Sequence, residues 1–190
     1  SCLVGSEMCI RDSLPAEWRS FGGALSAPVG RLNVGGTAIL APACFEPDAE
    51  LAAFLDGLDQ EGAVVTFLGL ARPRTKAGNA VTCLTLDHHP RLTQISMDEI
   101  VASAAERFDV TRLKVIHRFG AIEPGEPIVW VAAASAHRRA AFEAADYMMD
   151  RLKTDAVFWK REDSSEGSCW IEPTQADLCL LYTSPSPRDK

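Results

Sequence analysis

Cationic side chains concentrate in one part of a chain that is acidic overall. Residues 151–162 read Arg-Leu-Lys-Thr-Asp-Ala-Val-Phe-Trp-Lys-Arg-Glu, and two lysines in this segment, Lys153 and Lys160, lie seven positions apart. His137 and Arg138 stand one helix length upstream. Because the formal net charge is -7, a compact set of cations predicts a binding site for an anionic ligand.

The two lysines are the candidates for acid–base chemistry. If Lys153 and Lys160 face one pocket, each ammonium disfavours the charge of the other, and partial burial adds to that effect. A lysine tuned in this way can act as an acid or a base near neutral pH. Each also has an ordinary structural interpretation. Lys153 would complement the dipole at the end of a helix, and Lys160 would extend its stem over neighbouring apolar residues.

Two further groups of side chains are candidates for anion binding. His137 and Arg138 begin a predicted helix, whose free N–H groups and positive dipole end suit a phosphate or carboxylate. Arg72 and Arg74 lie in a loop after a buried strand, where binding groups often occur. The simpler interpretation of all these cations is that they are solvated surface groups.

Composition narrows the class of protein. The chain has 190 residues, of which 47% are hydrophobic and 24% charged, as expected for one globular domain. The negative net charge argues against nucleic-acid binding, and no apolar run reaches the ~18 residues that span a membrane. Without a recognisable signal peptide, we expect a cytoplasmic protein that binds neither nucleic acid nor membrane.

Neither a metal nor a cofactor is expected. The chain has four histidines, and the adjacent His88 and His89 have no carboxylate at ligand spacing. Nucleotide-binding glycine motifs are absent from the sequence. Cys44, Cys83 and Cys169, the cysteines outside the chain ends, form no Cys-x-x-Cys pair and predict reduced thiols.

The chain divides into three parts. Residues 1–13 and 178–190 lack periodicity and resemble translated adapter sequence, so we predict that both are foreign to the fold. The three parts are a leader outside the core at residues 1–36, which includes the first foreign segment, the domain at residues 37–177, and the foreign tail at residues 178–190.

Hydrophobic spacing predicts the elements of this domain. Strands are expected at residues 37–45, 63–70, 81–86, 113–118, 128–134, 156–161 and 168–171. Three helices are expected from apolar stripes, the first through Leu51, Phe54, Leu55 and Leu58, the second through Met97, Ile100, Val101, Ala104 and Phe108, and the third through Ala141, Ala144, Ala145, Met148 and Leu152. Ser135 is the expected cap of the third helix. Strands and helices in this order favour an α+β or mixed α/β domain. Of the two we expect the α+β class, a mixed sheet with about three helices packed on it.

Six ordered segments resemble one known family. They are residues 63–72, 86–90, 115–118 (Val-Ile-His-Arg), 124–126 (Pro-Gly-Glu), 135–138 and 152–162. Together they resemble the catalytic (large) subunit of molybdopterin synthase, over roughly residues 37–177.

The resemblance implies an enzyme of molybdenum cofactor biosynthesis with an α/β-hammerhead type of fold. This sulfurtransferase would convert cyclic pyranopterin monophosphate into the molybdopterin dithiolene. Its sulfur would come from the C-terminal Gly-Gly thiocarboxylate of a small ubiquitin-like sulfur-carrier subunit. A homodimer of large subunits would form a heterotetramer with two small ones.

The family's site positions carry over to named residues of this chain. The catalytic candidates are Lys153 and Lys160. The resemblance implies that substrate is bound by Leu70, Ala71, Arg72, His137, Arg138, Lys153, Lys160, Arg161 and Glu162. Some members have a lysine where this chain has Leu70, whose side chain cannot bind phosphate.

Two other functions use the same residues. A non-catalytic anion-binding or regulatory module would need the cations but no sulfur donor. An inactive interaction subunit would keep only the dimer. The intact Lys153 and Lys160 argue against this third interpretation.

Overall fold

The computed structural model describes residues 35–75, 77–164 and 167–171. Its strands are β1 (Gly35–Ala41), β2 (Ala63–Leu70), β3 (Val81–His88), β4 (Arg112–Arg118), β5 (Gly120–Ile122), β6 (Pro127–Ser135), β7 (Phe158–Ser164) and β8 (Gly167–Ile171). Its helices are α1 (Pro47–Leu55), α2 (Leu92–Arg107) and α3 (Arg138–Thr154). The predicted foreign ends, and the predicted leader up to residue 34, lie outside the described residues.

The strands form two sheets of four strands each. The first has the order β1-β4-β6-β2, in which β1 is parallel to β4 and the other pairs are antiparallel. The second has the order β5-β3-β7-β8 and is antiparallel throughout. The predicted α+β class with three helices is therefore confirmed, with the strands shared between two sheets.

Strand β6 is buried on both faces, which explains its continuous apolar sequence. Val129, Val131 and Ala133 face a core that also contains residues of α2 and α3. The alternating residues Trp130 and Ala132 face a second core, which α1 covers. The first sheet is thus a central layer with helices on both sides.

The helical stripes are confirmed for α2 and α3. In α3 all five predicted residues are buried, and in α2 only Phe108, which follows the helix, is half-buried. The stripe of α1 is only partly correct. Phe54 is buried, but the helix ends at Leu55, whose side chain is 45% exposed.

Several predicted boundaries differ from the structure: β1 ends at Ala41 where residue 45 was expected, β7 is Phe158–Ser164 where 156–161 was expected, and the short strand β5 was not predicted. Strand β1 begins at Gly35, within the predicted leader, and a Cβ at Gly36 would lie 2.7 Å from Val101 Cγ1 on α2. The prediction that Ser135 caps α3 is wrong, because His137 is the N-cap residue. Ser135 instead ends β6, where its hydroxyl donates to Asp109 O at 2.6 Å and accepts from the His137 N–H at 3.1 Å.

In the part of the chain that the structure describes, no helix is long and apolar enough to cross a membrane.

Candidate active site

One face of the second sheet brings together the Ala71 segment and strand β7. Ala71 is buried in a cluster with Leu84 and Leu86 of β3. In the antiparallel β3–β7 pair, Leu84 is opposite Glu162 and Leu86 is opposite Lys160. Paired residues project to the same face of a sheet. Lys160 and Glu162 therefore share the face against which Ala71 packs.

Arg72 follows directly and is exposed to solvent. The neighbouring residues fix its backbone, since Ala71 exchanges two hydrogen bonds with the turn before β6 and Pro73 O accepts from the Val81 N–H at 3.0 Å. Leu70, which ends β2, is 50% exposed. Arg74 is occupied within its own loop, where it donates to Gly78 O at 3.0 Å.

Arg161 points away from this face, because side chains alternate along a strand. Its Nη2 lies 3.4 Å from Thr85 Oγ1, and its guanidinium lies over the Trp170 ring at 5.6 Å. Its Nε is 3.3 Å from Asp163 Oδ1. The structure thus gives Arg161 protein partners on the opposite face from Lys160 and Glu162.

A buried histidine supports strand β7 beneath Lys160. The His117 ring stacks on Phe158 with centroids 4.0 Å apart and planes 20° apart. Burial lowers the pKa of His117 to about 4; the hydrogen bond to the Arg118 carbonyl opposes this, and the charge of Lys160 lowers the pKa further. The distance from Nδ1 to that carbonyl oxygen is 2.9 Å. Because a carbonyl only accepts, Nδ1 carries the proton of the neutral ring.

Lys153 lies in the last turn of α3 and is exposed. Only residues 155–157 separate the end of this helix from β7, so Lys153 and Lys160 flank a short connection, as the sequence predicted. The charge of Lys153 acts on the carboxylate of Asp150. Burial and the charge of Asp146 raise the pKa of Asp150, and Lys153 lowers it.

His137 and Arg138 lie at the other end of α3. The helix has 17 residues, and at 1.5 Å per residue Arg138 is about 22 Å from Lys153 along its axis. Strand β2 gives the same result independently. Its first residue pairs with Ser135 and its last with Pro127, so Arg72 and His137 are separated by about 23 Å of strand.

The predicted cations therefore form two groups within one chain, where the sequence predicted one compact set. We call the first the Arg72 end; it comprises Leu70, Ala71, Arg72, Lys153, Lys160 and Glu162. We call the second the Arg138 end; it comprises His137 and Arg138.

The Arg138 end borders an open groove of about 400 Å³. His137 and Arg139 line it, together with Arg107, Asp109 and Glu143 among others. Arg139 is ion-paired with Glu143 at 2.8 Å. The groove thus carries charges of both signs.

The histidine pair at the end of β3 has local structural contacts. His88 lies against the Phe119 ring, with centroids 4.0 Å apart. His89 Nδ1 accepts from the Leu92 N–H at 3.1 Å, which satisfies a free donor at the start of α2. The sequence argued against a ligand role for this pair, but it gave no signal for the capping role of His89.

The family is decided by comparison with known proteins. A family model described as "MoaE protein" matches residues 40–155. The chain is a member of the MoaE family. The catalytic subunit of molybdopterin synthase from Caulobacter vibrioides is 49% identical over 133 residues, which cover 70% of this chain and 87% of that relative.

Solved MoaE structures share the fold. The molybdopterin biosynthesis MoaE protein of Burkholderia ambifaria has a TM-score of 0.65 and 30% identity, covering 78% of this chain and 99% of that one. Molybdopterin synthase of Staphylococcus aureus has a TM-score of 0.64 and 25% identity, covering 70% and 96%. The predicted family is confirmed, and the predicted enzyme class agrees with the names of these relatives.

Proposed function

We propose that this chain is the catalytic subunit of a molybdopterin synthase. It would transfer sulfur from the thiocarboxylated C-terminus of a small ubiquitin-like subunit to cyclic pyranopterin monophosphate. Membership of the MoaE family carries this proposal. The relatives' name, a catalytic subunit, itself supports a second subunit in the assembly. We also propose that residues 37–177 are the family domain and that the protein acts in the cytoplasm.

The Arg72 end suits this chemistry. Substrate and thiocarboxylate are both anionic, and Arg72, Lys153 and Lys160 present three cations near the exposed end of β2. Negative charge develops on oxygen as sulfur attacks and the phosphate ring opens. Fixed cations stabilise such charge without reorganising. Lys153 is the proposed acid or base, and Lys160 its electrostatic partner.

We further propose that a complete pocket contains residues of two copies. The Arg72 end and the Arg138 end of one chain are more than 20 Å apart by the estimates above, on the order of the length of α3. One small substrate cannot bridge that distance. In a symmetric homodimer, the Arg138 end of one copy can complete the Arg72 end of the other. His137 and Arg138 would then clamp the phosphate.

The direct test is to mix the purified chain with a thiocarboxylated small subunit and the pyranopterin precursor, and to assay dithiolene formation. The small subunit must insert its extended Gly-Gly terminus into the pocket, where only glycine allows the backbone to approach so closely. A small subunit lacking its last two glycines should therefore still dock through its globular surface but yield no product. If the precursor binds and no thiocarboxylated partner supports conversion, the chain is better explained as an anion-binding module.

Mixed dimers test the shared pocket. Chains carrying Lys153→Ala and chains carrying Arg138→Ala should each form poorly active homodimers. In a mixed dimer one pocket would receive both substitutions and the other neither, so activity should return to about a quarter of the wild-type value in a random mixture. If each pocket belonged to one chain, every pocket would keep one substitution and no activity would return.

A further inference from the structure

Two of the segments that identify the family are not used by the proposed chemistry. These are Val-Ile-His-Arg at residues 115–118 and Pro-Gly-Glu at residues 124–126. The structure joins them through one ion pair, in which Arg118 Nη1 donates to Glu126 Oε2 at 2.9 Å. This pair lies beside the backbone that precedes Arg72.

Arg118 is committed to this contact. Its side chain is only 5% exposed, and the same Nη1 also donates to Pro127 O at 3.2 Å. A buried guanidinium is costly unless it is paired and hydrogen-bonded. Arg118 therefore cannot reach a ligand in solvent, and its partner, Glu126, is the group through which it acts.

Glu126 closes the turn that precedes β6. Its Oε2 accepts a second hydrogen bond, from the Glu123 N–H at 2.9 Å. Its own N–H donates to Glu123 O at 3.1 Å. The bond from Glu123, and then that from Arg118, holds the pKa of Glu126 below its usual range. The carboxylate is therefore ionised at neutral pH and keeps both bonds.

The closed turn holds Ala71 through both its backbone N–H and its backbone C=O. The Gly125 N–H donates to Ala71 O at 2.8 Å, and the Ala71 N–H donates to Glu126 O at 2.9 Å. Gly125 has a φ of 89°, a conformation that glycine adopts without strain. Since Pro73 is bonded to Val81 on the other side, Arg72 is the single residue between two fixed neighbours.

We propose that the Arg118–Glu126 ion pair positions Arg72 for the anionic substrate, and that Glu126 is a positioning residue of the reaction. This inference rests on the proposed function of Arg72. With its backbone fixed, Arg72 has only side-chain freedom to lose on binding, which lowers the entropic cost of the contact. Without the carboxylate, the turn that anchors Ala71 loses two hydrogen bonds, those from Arg118 and from the Glu123 N–H.

The test compares three variants by steady-state kinetics with the precursor. Glu126→Ala should raise KM by about tenfold and lower kcat much less, as expected for lost orientation of a binding group. Glu126→Gln keeps an acceptor oxygen for Arg118 and Glu123, so it should recover most of the loss. Glu50→Ala is the matched control, because it removes an ion pair of 2.6 Å with Lys114 on the same strand, β4.

A double-mutant cycle separates positioning from general weakening of the fold. In an Arg72→Ala background, Glu126→Ala should cause no further rise in KM, because the residue that it positions is already gone. An unchanged KM for Glu126→Ala would overturn the inference, as would an additive effect in the Arg72→Ala background or an equal effect of Glu50→Ala. If Glu126→Ala does not fold, Glu126→Asp carries the same cycle, because its shorter side chain keeps the charge but cannot reach both Arg118 and the Glu123 N–H.

Failure of this inference is distinguishable from failure of the proposed function. If the wild-type chain makes product, Arg72→Ala impairs it and Glu126→Ala does not, the function stands and only the positioning role fails. If the wild-type chain makes no product, calorimetric binding of the precursor to the same variants still measures the coupling between Glu126 and Arg72.

Discussion

The Arg72 end and the Arg138 end both present cations, but the chain supports them in different ways. At the Arg72 end, backbone hydrogen bonds fix both neighbours of Arg72, and the stack of His117 on Phe158 lies beneath the strand that carries Lys160. At the Arg138 end, His137 and Arg138 are exposed at the first turn of a helix. No hydrogen bond or ion pair from another described residue holds the Arg138 side chain.

The two ends therefore differ in how firmly their own chain holds their cations. Side chains that hold a reacting group must be fixed in the right geometry. A cation at a helix N-terminus opposes the dipole, so Arg138 gains nothing from its own helix. On the proposed function, Arg138 would bind the phosphate of a pocket that the partner copy completes.

The largest expected effect comes from Lys153. Lys153→Ala should leave the dimer and partner binding intact but reduce turnover by about 10² or more, the usual scale for a positioned acid or base. Single-turnover kinetics with the thiocarboxylated partner would measure it. Near-normal turnover would make Lys153 an ordinary helix-end cation. The Arg72 end would then have no proposed acid or base to distinguish it from the Arg138 end.

The support beneath Lys160 should appear as pH-dependent stability. The pKa of His117 is about 4 in the fold against an ordinary 6.5, so the unfolded chain binds more protons between these values. Stability should therefore fall as pH drops from about 6.5 to 4, by up to about 3 kcal/mol. Urea unfolding across this range would measure the loss.

Two histidine variants make this prediction specific to one end. His117→Phe keeps an aromatic ring against Phe158 and removes the titration, so stability should depend less on pH in this window. His137→Phe, at the Arg138 end, should leave the dependence in place. An equal pH dependence in the wild type and in His117→Phe would assign it to carboxylates elsewhere.

The Arg138 end should affect binding and leave stability nearly unchanged. Arg138→Ala should weaken precursor binding by roughly 1.5 to 3 kcal/mol, the range for a charge-assisted hydrogen bond. Arg139→Ala is the control, since Arg139 is 79% exposed and paired with Glu143, and such surface pairs contribute about 0 to 1 kcal/mol. If small-subunit affinity fell and precursor affinity did not, this end would belong to the protein interface.

Local patterns in the sequence predicted the elements well. Strand β2 has the predicted bounds, 63–70, and the α3 stripe is buried throughout. Both follow from periodicity, which reports the face that a residue presents to the core. The candidate residues came from types, spacing and family resemblance, and their chemical roles remain predictions.

Relations between distant segments were not available from the sequence. Strand pairing is non-local, so the division into two sheets could not be read from periodicity. The separation of His137 from Arg72 depends on the direction of β2 and α3, which spacing does not encode. Arg118 and Glu126 are eight positions apart, and only the fold shows that together they anchor Ala71.

The smallest expected effect tests where the charge of Lys153 acts. Lys153 lowers the pKa of Asp150, against the larger effect of burial and that of Asp146. Lys153→Ala should therefore raise the pKa of Asp150 further, because the carboxylate loses a favourable charge. Carboxyl-carbon NMR titration would measure it, and Arg138→Ala, about 18 Å away along α3, should leave it unchanged.

Substrate should have the same effect as the substitution. If Lys153 turns to the bound precursor, the anion compensates its charge, and the pKa of Asp150 should rise on saturation. The Arg138→Ala dimer should show this rise only at higher precursor concentration, because its clamp is weaker. If the pKa of Asp150 does not change when precursor binds, the ammonium of Lys153 lies outside the pocket. The cations of the Arg72 end that bind precursor would then be Arg72 and Lys160.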